Sequence, residues 1–88
     1  MATFDSRFLR VPTVLDDLSH RELQVLRLAS SGSTNGQIGE SLGLSIHAVK
    51  FHLASVYRKL GVGNRTEATV VFLRATPASL SAATEESL

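Results

Sequence analysis

The 88-residue chain contains no cysteine. A disulfide framework, a thiolate nucleophile and a cysteine-based zinc site are therefore excluded. Tryptophan is also missing, aromatic residues make up only 6% of the chain, and just two prolines, Pro12 and Pro77, interrupt it. No apolar run approaches the ~18 residues that a membrane-spanning helix requires. The opening "MATFDSRFLR" has no basic region followed by a long apolar stretch, so no export signal is read. The expectation is a soluble, cytoplasmic protein with no membrane partner. A further absence is local: between residues 45 and 65 there is no Asp or Glu, while Lys50, Arg58, Lys59 and Arg65 all fall there. Asp16, Asp17, Glu22 and Glu40 precede that segment and Glu85 and Glu86 follow it, so a formal net charge of only +1 conceals one basic stretch.

What is present has the balance of a globular chain, 43% hydrophobic and 19% charged residues. A chain of this length makes one small domain that must bury a large share of its apolar side chains. Four segments carry helix signals. The run Ser19-His20-Arg21-Glu22 fits a capping box, in which Ser19 accepts from the helix and Glu22 reaches back, with Leu18 and Leu23 at staple positions. A helix from about residue 20 to 31 follows and ends near Gly32. The run Thr34-Asn35-Gly36-Gln37 repeats the pattern before a short helix with Ile38 and Leu42 on one face, stopped by Gly43. Ser45 caps a third helix, about 46–60, in which Val49, Leu53, Val56 and Leu60 form one stripe up to Gly61. Asn64-Arg65-Thr66-Glu67 opens a fourth helix, about 65–75, with Ala68, Val71, Phe72 and Ala75 on its apolar side.

No segment alternates with period two, so the fold class read from the sequence is all-α: a four-helix, bundle-like domain with no sheet. Its expected limits are 18–76, with an N-terminal arm or linker over 1–17 and a flexible tail over 77–88. The short join at Gly43 and Leu44 suits two helices packed at a steep angle, which is a helix-turn-helix. Gly39, one turn before Gly43, lets the second helix approach the third closely.

If the stripe from Val49 to Leu60 faces inward, His47, Lys50, Phe51, Ala54 and Arg58 face outward at about 100° per residue. A helix fits the major groove of B-DNA, where Lys donates to guanine and an apolar side chain meets the thymine methyl. Lys50 and Phe51 provide both chemistries in the N-terminal half, the part that usually enters the groove. The helix starts at Thr34 and Ser45 offer backbone N–H groups to phosphates. The plainer reading of a basic helix face is a solvated surface.

The stretch "LSHRELQVLRLASSGSTNGQIGESLGLSIHAVKFHLASVYRKLGVGNRTEA" resembles the DNA-binding domain of LuxR-type (GerE, NarL/FixJ-like) bacterial transcription regulators. Matching signposts include Arg21-Glu22, Val25-Leu26, Asn35, Ile38, Val49-Lys50, His52, Lys59-Leu60-Gly61-Val62, Arg65 and Glu67-Ala68. The resemblance implies a third helix that reads the major groove of double-stranded DNA and a fourth that dimerises, with Val70, Val71 and Leu73 as its surplus apolar residues. It implies DNA contacts from Lys50, Phe51 and Ala54. Around them stand His47, Arg58, Lys59, His52, Ser45, Thr34, Asn35 and Arg65 as further candidates. Gly36, Gln37 and Gly39 depart from the family's usual Lys, Glu and Ala, and Ala48 replaces its Thr. Contact is therefore expected to lean on Lys50, Arg58, Lys59 and Phe51.

Other constellations point away from catalysis and metals. His47 and His52 are five apart rather than three or four, and no cofactor or metal is expected. Asp16 and Asp17 read as acids near a helix start, not as a catalytic pair. Glu22 and Arg65 are candidates for an ion pair tying the first helix to the fourth. Phe4 and Phe8 of the arm are candidates to cover the fourth helix. The reading is a sequence-specific DNA-binding transcription regulator that binds as a homodimer, either stand-alone or as the effector end of a longer protein. The alternative is a helix-turn-helix module that binds RNA polymerase or another regulator, favoured by the low net charge, Ala48 and Ala54. A sigma-factor end would need a polymerase-binding region that the sequence does not display.

Overall fold

The structure, a computed structural model, describes residues 13–75. The expectations for the arm residues Phe4 and Phe8 and for the tail lie outside these residues. Four helices follow a 3₁₀ turn among the described residues: Val14–Asp17 forms the turn, then α1 His20–Ser30, α2 Asn35–Leu42, α3 Ile46–Leu60 and α4 Arg65–Ala75. Among the described residues there is no strand. The all-α class and the helix-turn-helix order stand as read.

Each helix starts where a side chain replaces a missing backbone partner. Ser19 Oγ accepts from the N–H of Glu22 (3.0 Å), and the Glu22 carboxylate accepts from the N–H of Ser19 (2.8 Å). Thr34 and Gln37 repeat this reciprocal box at α2. Ser45 Oγ accepts from the N–H of Ala48 at 3.0 Å. At α4 the box is shifted by one residue. Asn64 Oδ1 accepts from the N–H of Glu67, but the Glu67 carboxylate takes the N–H of Gly63 instead of the cap residue's own.

The 3₁₀ turn was not read from the sequence. Thr13 caps it, Asp16 accepts from the N–H of Thr13, and the turn lays Leu15 and Leu18 against the core. Asp16 is thus engaged with its own turn, ahead of α1.

Two apolar clusters meet along α3. Val25 and Ala29 of α1, Ile38 of α2, and Val49 and Leu53 of α3 form the first. Leu26, Val56 and Ala68 form the second, with Leu15, Leu18, Leu60, Val62 and Phe72 packed around them. The stripe is therefore inside, with Val49 and Val56 at 0% exposure and Leu60 half-buried. Burying five such large side chains contributes roughly 1.5–3 kcal/mol each before entropy is counted.

The join between α2 and α3 is close. Gly43 ends α2 in the left-handed region (φ 70°), and the N–H of Leu44 bonds the carbonyl of Gly39 at 2.8 Å. A Cβ on Gly39 would lie 2.5 Å from the Leu44 carbonyl oxygen. The missing side chain lets α2 abut the turn that aims α3.

Candidate nucleic-acid interface

With Val49, Leu53 and Val56 buried, α3 turns its opposite face outward. His47, Lys50, Phe51, Ala54 and Arg58 are all exposed, Phe51 at 73%. Ile46, at the first helical position, is 51% exposed and belongs to the same surface. Sequence reasoning passed over it because it stands next to the cap and outside the buried stripe. His52 is half-buried and its ring meets that of Phe51 edge-on, with centroids 5.9 Å apart. That contact steadies an aromatic ring that projects from the surface.

The remaining candidates hold the framework that presents this face. Ser45 and Thr34 spend their hydroxyl oxygens as caps, which orient the starts of α3 and α2. Asn35 is half-buried, and its Oδ1 accepts from the Arg65 guanidinium. Arg65 also donates to the carbonyl of Ser33 at 3.0 Å. The base of α4 is thereby tied to the loop before α2, beside an open cleft of about 420 Å³ that Arg65, Asn35 and Thr34 help to line.

The expected Glu22–Arg65 pair is not formed. Glu22 instead meets Lys59 of α3, Nζ to Oε1 at 2.8 Å, and Ser55 Oγ donates to its other oxygen. The start of α1 lies beside the C-terminal half of α3, so Lys59 reaches the carboxylate, while Arg65 bonds Ser33 and Asn35. Burial alone pushes the Glu22 carboxyl up. Hydrogen bonds from Lys59, Ser55 and the N–H of Ser19, with the Lys59 charge, outweigh that and hold it at about 2 instead of 4.5. Lys59 thus serves first as a tie within the fold. Arg58 stays exposed, with one long contact to Ser55 Oγ at 3.5 Å.

On α4, Val70 and Leu73 are exposed and Val71 is half-buried. Val70 and Leu73, three residues apart, share one side of the helix, and Val71 lies about 100° round from Val70. Among the described residues no group of three His, Asp or Glu side chains could hold a metal ion, and no helix is long and apolar enough to cross a membrane.

A short α2, a glycine-mediated turn and a longer α3 whose outward face is basic and apolar define a helix-turn-helix domain. The chain belongs to the family described as bacterial regulatory proteins, luxR family, which it matches over residues 16–72. Over 55 residues it is 44% identical to the transcriptional regulatory protein LiaR of Bacillus subtilis, covering 62% of this chain and 26% of that protein. It is 42% identical over 57 residues to the putative HTH-type transcriptional regulator YhjB of Escherichia coli, covering 65% of this chain and 28% of the relative. The nitrate/nitrite response regulator protein NarP of Escherichia coli is 42% identical over 57 residues, covering 65% and 26% of the two chains. The alignment thus spans about a quarter of each of these relatives.

Proposed function

We propose that this chain is a sequence-specific DNA-binding transcription regulator, with α3 entering the major groove and α4 pairing two copies on adjacent half-sites. The observation that carries the reading is the division of α3: a buried stripe on one side and, on the other, Lys50 beside a 73%-exposed Phe51 with no carboxylate between residues 45 and 65. An exposed phenylalanine alone is unremarkable. Beside an unopposed lysine on a helix of groove-filling width, it fits base edges better than water.

Roles divide by position. Lys50 donates to guanine, Phe51 meets a thymine methyl, and His47 and Ala54 lie along the same groove-facing line. Arg58 and His52 lie toward the phosphate walls, and Ser45 and Thr34 set helix starts whose N–H groups point at phosphates. Asn35, Lys59 and Arg65 act first by holding the helices, and Lys59 and Arg65 add positive charge near the backbone. Val70, Val71 and Leu73 form the pairing surface, which suits half-sites about one helical turn apart.

Selection of bound duplexes from a random oligonucleotide pool tests this reading. A recurring motif in two half-sites, bound with log affinity that falls linearly with log salt, is the expected result. Failure to enrich any motif would favour the second reading, a module that binds a polymerase subunit or another regulator. The net charge of +1 and the methyl-only side chains at Ala48 and Ala54 are the features that favour that alternative.

A further inference from the structure

The outward face of α3 is poor in hydrogen-bonding side chains. From Ile46 to Ala54 its exposed residues are Ile46, His47, Lys50, Phe51 and Ala54, so only two of them can exchange hydrogen bonds with a base. Its two large apolar members are well exposed, Ile46 at 51% and Phe51 at 73%. At about 100° per residue they lie ~140° apart around the helix, with Lys50 and Ala54 between them, and ~7.5 Å apart along its axis. Two side chains so placed flank Lys50 on either side and are set toward different base pairs of a groove. In the major groove the feature that such side chains distinguish is the C5 methyl of thymine.

We infer that Ile46 is a second specificity-determining residue, and that Ile46 and Phe51 each read the methyl of a different thymine on either side of the base that Lys50 contacts. This rests on the DNA-binding reading above and deepens it: the operator is recognised more by methyl groups than by hydrogen bonds. Neither side chain belongs to the core, so either can be shortened without opening a cavity.

The test uses a duplex selected by the protein itself, with each thymine replaced in turn by deoxyuridine. That change deletes one methyl and leaves base pairing intact. Two positions are expected to lose about fourfold in affinity each, the worth of one buried methyl. Ile46→Ala should abolish the sensitivity at one position only, Phe51→Ala at the other only, and Ile46→Val should retain both. Thermal unfolding should be unchanged in all three variants. Uridine sensitivity that is unaltered by Ile46→Ala, or a selected duplex indifferent to uridine everywhere, would overturn the inference while leaving salt-dependent, Lys50-dependent DNA binding intact. If the parent protein binds no duplex at all, both the inference and the reading beneath it fall together.

Discussion

In the first half of α3, from Ile46 to Ala54, the polar and aromatic side chains on the outer face extend into solvent; in the second half, Ser55 and Lys59 turn back to a carboxylate on another helix. The two lysines make the contrast plain. Lys50 has no ion pair among the described residues, whereas Lys59 closes on Glu22 at 2.8 Å. The same side chain faces solvent at one end of the helix and ties the fold together at the other. The difference lies in the groups that α1 brings alongside: near Lys59 it delivers a buried acid, and it has no second acid to set beside Lys50. On the proposed reading, this division leaves Lys50 available to DNA, while the α1 acid sits at the far end of α3.

The largest effect separating the halves should come from Glu22. Glu22→Ala leaves Ser55 and the N–H of Ser19 without their acceptor and is expected to cost about 3 kcal/mol. For a domain of this size that lowers the melting temperature by roughly 15 °C. Oligonucleotide affinity measured well below the melt should change little; a large loss there would break the division between the two ends. The pH dependence follows from the same group. Its folded-state value of about 2 lies below the unfolded 4.5, so its contribution is complete above 4.5 and disappears as pH falls through 2. Acid titration of stability should show this loss in the parent and not in Glu22→Gln.

Gly39→Val comes next. Its side chain would press on the Leu44 carbonyl, displacing the turn that aims the first half of α3, at a cost of about 2 kcal/mol. Calorimetry would measure the loss, and unchanged stability would mean that the turn gives way easily. Lys50→Ala should do the reverse of Glu22→Ala: stability constant within about 0.5 kcal/mol, and operator affinity down roughly tenfold with a shallower salt slope. Lys59→Gln should sit between them, with a modest fall in melting temperature and a smaller binding loss than Lys50→Ala. The smallest change expected in the monomer itself is that of Leu73→Glu, an exposed residue of α4. Its readout is assembly: sedimentation on DNA should give a lower mass than the parent, and an equal mass would remove α4 from the pairing surface.

The buried stripe, the caps at Ser19, Thr34 and Ser45 and the glycine stops at Gly43 and Gly61 were legible from spacing, because they depend on residues within one turn of each other. The outward set on α3 followed from the same period. Less was visible at the margins. The turn at Val14–Asp17 is only four residues long and carries no periodicity, and Ile46 stands beside a cap where the helical pattern has barely begun.

By itself the sequence determined where each helix starts and stops and which side of α3 is apolar, since hydrogen bonds to the nearest backbone and a 3.6-residue repeat are local matters. Only the tertiary structure decided that Glu22 pairs with Lys59 and that Arg65 holds Asn35 and Ser33. Those choices turn on the angles at which α1, α3 and α4 cross. Such angles are set by side chains packing across thirty or more residues of chain, a separation at which spacing in the sequence carries no distance.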